Sequence, residues 1–131
     1  MTYKERMVKA AIKILSEMYS VPPEQLSFLG LRTKDIMEAR RLLMFYMHRF
    51  MGIKHVEMKK YIKGMHHATS IHHCNKMEWF LIYDKRIGEE YKEFLLRMGE
   101  HDVLNQVIQH KIEKVVALQS EINDYLKQTI K

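Results

Sequence analysis

The chain has few residues that interrupt helices or cross-link loops: two prolines, five glycines and one cysteine in 131 residues. Scarce glycine and proline favour long helices with few breaks. The lone Cys74 excludes an internal disulfide and reads as a small buried hydrophobe rather than a reactive thiol. No signal-peptide pattern opens the chain, and no apolar run approaches the roughly 20 residues that span a bilayer. We therefore expect an all-α cytoplasmic protein with no membrane partner.

Acidic residues are scarce in the middle of the chain. Residues 32–76 hold ten Lys and Arg against three Asp and Glu, a net charge of +7, whereas the whole chain carries +6. Six of the eight histidines lie in the same stretch. A basic block bounded by near-neutral sequence is typical of a surface that binds a polyanion, although a solvated basic face without a partner has the same composition.

Apolar residues recur at helical spacing through the first half of the chain. The pattern predicts a helix over residues 3–20, a short turn over 23–26 that Gly30 ends, and a long helix over 33–50 with Thr33 as its N-cap. The residues expected to form the core stripe of the long helix are Ile36, Ala39, Leu43, Tyr46, Met47 and Phe50.

The next two helices form a helix-turn-helix unit: a short helix over 54–62, with Val56 among its expected core residues, a turn at Gly64, and a helix over 66–83. Spacings of three and four put Ser70, Cys74, Met77 and Leu81 on a packed face. The same spacings put Thr69, His72, His73 and Lys76 on an outer face. Trp79 and Phe80 are expected in the core.

Two more helices are predicted, over 84–98 and 102–130, separated by Gly99. The last has a heptad pattern, with Leu104, Ile108, Val115, Leu118, Ile122 and Tyr125 at a and d positions and Lys111 as a misfit at d. We expect a domain over 1–98 and a helical extension over 99–131. The extension either forms a homodimer or folds back on its own chain.

Residues 63–77 carry a specific resemblance. Gly64, His67, Thr69, His72, Cys74 and Lys76 match the recognition segment of the C-terminal DNA-binding domain (domain IV) of the bacterial replication initiator DnaA, a Trp-repressor-like helix-turn-helix family. The chain resembles that domain over roughly residues 10–98. It departs from the family at His66 and Ala68, which stand where the family has Asp and Thr, and at Arg41, which replaces Gln.

The resemblance implies sequence-specific binding to duplex DNA in replication or transcription control. It places His67, Thr69 and His72, flanked by His66, Ala68 and His73, at the major groove, and Arg32 in the adjacent minor groove. Phosphate or base contacts would come from Arg40, Arg41, His48, Lys54 and Lys76. The family's ATPase is absent, since the chain has no phosphate-binding Gly-x-x-x-x-Gly-Lys-Ser/Thr loop.

Other functions remain as alternatives. The chain could keep the fold as a protein-binding adaptor, or coat nucleic acid without sequence preference. The histidines lack the spacing of a metal site, and the acids are scattered rather than paired as a hydrolase needs. We therefore expect no catalytic residues, no metal and no cofactor, and a cytoplasmic, nucleoid-associated location.

Overall fold

A computed structural model describes residues 2–28, 30 and 32–130, and within it the side chains of 102–109, 129 and 130 are excluded. The described part is all-helical and contains no strand. Four α-helices, α1 (Tyr3–Tyr19), α2 (Lys34–Arg49), α3 (His67–Tyr83) and α4 (Lys85–Ile130), alternate with two 3-10 helices, Pro23–Gln25 and His55–Lys60. The all-α prediction is confirmed.

Capping side chains fix where the first helices begin. The Thr2 hydroxyl accepts a hydrogen bond from the Glu5 amide, and the Glu5 carboxylate accepts one from the Thr2 amide, which forms a capping box. The Thr33 hydroxyl accepts from the Ile36 amide at 3.4 Å and begins α2 as predicted. Each such cap typically stabilises a helix by about 1 kcal/mol.

The second helix, α2, lies at the centre of the core and packs against both α1 and α3. Because it is covered on two sides, six consecutive residues, 42–47, are buried. The predicted core stripe of α2 is confirmed except for Phe50, which is 67% exposed. Phe50 comes one residue after the helix ends and stacks its ring on Tyr46 instead of entering the core.

The first part of α4 completes the same core. Phe94 is fully buried with its ring 5.0 Å from Tyr46, and the Tyr91 ring meets Phe45 edge-on at 5.4 Å. Arg86 donates hydrogen bonds to Glu38 of α2 and to Glu90. These contacts hold the start of α4 against α2.

The prediction that Gly99 ends a helix is wrong. A single helix, α4, continues through Gly99 to Ile130, so the two helices expected over 84–98 and 102–130 are one. A mid-helix glycine costs only about 1 kcal/mol relative to alanine, which the helix-forming residues on both sides offset. Contacts divide the chain into two compact units, residues 1–98 and 99–131.

Candidate nucleic-acid interface

The turn before α3 is built from a glycine and buried side chains. Gly64 adopts a φ of +86°, a conformation that side-chain-bearing residues rarely take. Ile62 and Met65, on either side of it, are buried. The Lys63 amide donates to the Ser27 carbonyl at 2.9 Å, which ties the turn to the segment after the first 3-10 helix. The start of α3 is therefore held in a defined position.

The helix-turn-helix expectation needs one correction in its first helix. Residues 55–60 form a 3-10 helix rather than an α-helix, and Val56, expected in the core, is 60% exposed. Met58 alone anchors this helix in the core. The tighter 3-10 winding has three residues per turn, so the side-chain directions differ from those that α-helical spacing predicts.

An imidazole begins α3. His66 is the N-cap, and its Nδ1 accepts a hydrogen bond from the Ala68 amide at 3.1 Å. The neighbouring His67 ring lies 4.3 Å away, and both side chains are exposed. The first turn of α3 contains no acid. No carboxylate of the first turn compensates the positive end of the helix dipole, and the Ala68 amide is capped by the His66 ring instead.

The outer face of α3 is exposed along its length. Ala68, His72 and Lys76 follow one another on it at intervals of four residues, and Thr69 is half-buried at its edge. Ile71 is 40% exposed on the same face, although the resemblance assigns it no contact. The first half of α3 therefore presents imidazole, methyl and ammonium groups together, with hydroxyl at the edge.

The predicted packed face of α3 is confirmed. Ser70, Cys74 and Met77 are each at most 4% exposed, and Leu81 is half-buried. Burial raises the pKa of the Cys74 thiol to about 11, so this cysteine is protonated at neutral pH and unreactive.

Arg40 does not reach the surface, so the expectation that it contacts DNA is wrong. The side chain is 1% exposed; its Nε donates to the Gln25 carbonyl at 2.7 Å and its Nη2 to the Phe28 carbonyl at 2.8 Å. Desolvation lowers the pKa of its guanidinium. Arg40 lies four residues after Ile36 and three before Leu43, so helical spacing alone placed it on the core stripe.

His73 is the second correction. It is 7% exposed, and it follows Ser70 by three residues and precedes Met77 by four, which is the spacing of the packed face. Burial, and then the positive charge of Arg41, which repels a protonated ring, lower the pKa of His73 to about 4, so the ring is neutral near pH 7. A neutral, buried ring cannot serve as a surface contact for DNA.

Arg41 lies at the junction of α2 and α3. It is half-buried, and its guanidinium carbon lies 4.8 Å from the centre of the Phe80 ring. Burial lowers its pKa, while Glu38 acts in the opposite direction. The cation–π contact fixes the direction of this side chain, so it is pre-positioned beside α3 rather than free to rotate.

Two further imidazoles connect the elements around the turn. The rings of His48 and His55 stack at 3.8 Å, His48 Nδ1 lies 2.9 Å from the Ile53 carbonyl, and His55 Nδ1 lies 2.8 Å from the Ser70 hydroxyl. Because a carbonyl only accepts, His48 Nδ1 carries a proton and donates. Burial lowers the pKa of His55. His48, expected to contact DNA, is thus half-buried and held by the loop.

Three cations on the connecting segments are exposed. Arg32 precedes α2 and Lys54 is the N-cap residue of the second 3-10 helix, and both are exposed, as the resemblance requires. Lys63 belongs to the basic block, but the resemblance assigns it no role. In the structure Lys63 is exposed directly before Gly64. Its position next to the turn glycine was the signal that could have singled it out.

The second half of α3 has a different surface. Trp79 is 57% exposed, so the prediction that it belongs to the core is wrong; Ile82 and Tyr83 are 73% and 68% exposed. The Trp79 and Tyr83 rings lie 4.9 Å apart. Trp79 follows Lys76 by three residues, and Ile82 and Tyr83 follow Trp79 by three and four. Helical spacing therefore puts all three on a continuation of the outer face. The outer face thus changes from polar to aromatic.

Within the described residues, no group of three or more metal-ligating side chains is present, and no helix has the length and apolarity to cross a membrane. Family models and curated proteins give no match to this chain.

Proposed function

We propose that this protein binds duplex DNA in a sequence-specific manner and inserts the first half of α3 into the major groove. The observation that carries the proposal is the exposed, acid-free opening of α3, where His66, His67, Ala68, His72 and Lys76 share the outer side of one helix end. The major groove admits a helix of this kind, and its base edges offer partners for imidazole and methyl groups.

The exposed positions divide between base and phosphate contacts. His67, Thr69 and His72 lie where base edges would be read, and the Ala68 methyl suits a thymine methyl. Lys54, Lys76 and the pre-positioned Arg41 suit phosphates, and Arg32 suits the adjacent minor groove. Arg40 and His73 are left out because they are buried.

A second copy would add a second reading helix. We propose that residues 99–131 pair two chains, so that the preferred site contains two half-sites. A role in control of replication or transcription, at the nucleoid, follows from sequence-specific DNA binding, and the chain itself supplies no ATPase.

Selection of bound duplexes from a random pool tests the proposal. We expect the selected duplex to bind at least about 1,000-fold more tightly than random duplex at the same salt concentration. Replacing a base-reading residue, His67→Ala, should weaken binding to the selected duplex about 10- to 100-fold and leave random duplex little affected. Lys76→Ala should weaken both duplexes alike and reduce the salt dependence.

The matched control is His110→Ala, which removes an exposed imidazole from residues 99–131, called the tail from here on. It should bind both duplexes as the unaltered protein does. Equal affinity for selected and random duplexes would replace the proposal with non-specific nucleic-acid binding, and absence of binding to either would reject both.

One observation favours a second candidate, an adaptor that binds a protein. Trp79, Ile82 and Tyr83 expose aromatic and aliphatic surface on the outer face of α3, and such residues are enriched in protein interfaces rather than on phosphate-binding surfaces. If the adaptor activity is the biological one, Trp79→Ala should abolish it while His67→Ala leaves it intact.

A further inference from the structure

The tail exposes a continuous apolar face. Between residues 110 and 128 every side chain is exposed, including large apolar ones that are 49–68% exposed: Ile112, Val115, Val116, Leu118, Ile122, Tyr125 and Leu126. Val115, Leu118, Ile122 and Tyr125 follow one another at steps of three, four and three residues, the a and d spacing of a two-helix seam. Pairing two such seams would bury on the order of 1,000 Å², near the lower limit for a specific interface.

We infer that two copies pair through residues 99–131 as antiparallel helices, with Val115 of each chain facing Leu118 of the other. This inference rests on the proposed pairing of chains and adds its direction and register. In parallel dimers, β-branched residues at a with leucine at d favour two strands, but Lys111 and Tyr125 also occupy d positions here, so the apolar pattern alone does not set the direction. The charged residues decide it.

Lys111 opposes the parallel arrangement. It occupies a d position on the exposed face of the helix. Parallel helices bring each d residue against the same residue of the partner, so two ammonium groups would meet inside the seam. The antiparallel register instead places Lys111 against Ile122 of the other copy, where its alkyl stem packs and its charge reaches solvent.

The flanking g positions favour the antiparallel arrangement. Lys114 and Glu121 are both exposed and both border the seam. In the antiparallel register each Lys114 lies beside the partner's Glu121. The two-fold symmetry of the dimer gives two such ion pairs. Parallel pairing would set these residues against Gln119 and Leu126, which carry no charge.

The two neighbouring antiparallel registers are less favourable. Sliding the helices by one heptad in one direction brings the two Glu121 side chains together, and sliding them in the other direction brings the two Lys114 side chains together. Charge therefore selects the proposed register.

Disulfide trapping tests the direction. Two variants, Lys111→Cys and Ile122→Cys, are oxidised separately and as a mixture. Antiparallel pairing should give a cross-linked dimer only in the mixture, because identical 122 positions lie about 16 Å apart along the helix axis. Parallel pairing should cross-link each variant with itself and would overturn the proposal. The unaltered chain is the control, since its Cys74 is buried.

Charge reversal tests the register. By sedimentation equilibrium, Lys114→Glu should weaken the dimer about ten-fold, because two attractive pairs become repulsive. Adding Glu121→Lys should restore it. Lys127→Glu makes the same charge change on the far side of the helix and should leave association within about two-fold.

The outcomes separate this inference from DNA binding, because sedimentation needs no DNA. A chain that stays monomeric at high concentration rejects the pairing yet leaves the selected-duplex assay to decide the function. A dimer that fails to bind duplex DNA leaves the pairing in place and rejects the function.

Discussion

The helix α3 and the tail of α4 differ in which side chains they bury. α3 buries polar groups, with Ser70 fully enclosed and His73 only 7% exposed. The tail exposes apolar groups such as Val115, Leu118 and Ile122 at more than half of their surface. Burial in this chain is thus decided by what packs against a helix face rather than by the polarity of the residues on it. A buried polar group contributes to the stability of the first unit where it is hydrogen-bonded, as Ser70 is to His55, whereas an exposed apolar stripe contributes only when a partner covers it.

Removing a buried, hydrogen-bonded polar side chain should lower the free energy of unfolding of the first unit. Arg40→Met keeps the length of the apolar stem but leaves the Gln25 and Phe28 carbonyls without its hydrogen bonds. We expect the free energy of unfolding to fall by about 3 kcal/mol. Urea unfolding followed by the fluorescence of Trp79, the single tryptophan, measures it.

Lys34→Met is the matched control, because Lys34 begins the same helix but is exposed. It should change stability by less than about 0.5 kcal/mol. Equal effects of the two substitutions would contradict the structural role assigned to Arg40.

Acid should destabilise the first unit through the protonation of His73. Its pKa is about 4 in the folded chain and about 6.5 when unfolded, so the unfolded chain binds more protons between these values. The stabilisation is therefore present above pH 6.5 and is lost as the pH falls. We expect a loss of about 2 kcal/mol between pH 7 and pH 4.5.

Urea titrations at several pH values measure this loss, to which His55 adds in the same direction because its pKa is also lowered. His73→Gln removes the titrating ring and should flatten the profile by most of that amount. His72→Gln, one residue earlier and exposed, is the control and should leave the slope unchanged.

The smallest effect is expected from the tail. Leu118→Glu places a charge in an exposed apolar stripe, so the unfolding of the first unit, again followed at Trp79, should change by less than about 0.5 kcal/mol. In the first unit, Leu43→Ala empties a fully buried position and should cost about 2–5 kcal/mol. A large effect of Leu118→Glu on the Trp79 transition at low protein concentration would contradict the separation of the two units.

Helical periodicity predicted most of the fold, because it depends only on the direction of side chains along one helix. Thr33 as a cap, the α2 stripe and the enclosed Ser70, Cys74 and Met77 followed from it. Phe50 and Trp79 did not, because whether a helix end is covered depends on neighbouring elements that the local pattern does not contain. Gly99 does not end the helix, because the free energy that one glycine costs is smaller than the free energy that the helix-forming residues on both sides contribute.

The candidate site was predicted in part for a related reason. Exposed His72 and Lys76 lie on the outer face that spacing predicts, and His67, named only by the resemblance, is also exposed. His73 lies three or four residues from members of both faces, Thr69 and Lys76 on one and Ser70 and Met77 on the other, so spacing alone does not decide its burial. The surface role of Arg40 came from the resemblance, and the carbonyls that receive its guanidinium belong to an irregular segment with no periodicity.

The imidazole at the start of α3 has a consequence for that helix end. His66 Nδ1 accepts the hydrogen bond of the Ala68 amide, so the ring proton is on Nε2 while the cap is formed, and the ring donates only through that nitrogen. One amide of the first turn is therefore already satisfied within the chain, and any other acceptor that reaches this amide has to replace the His66 ring.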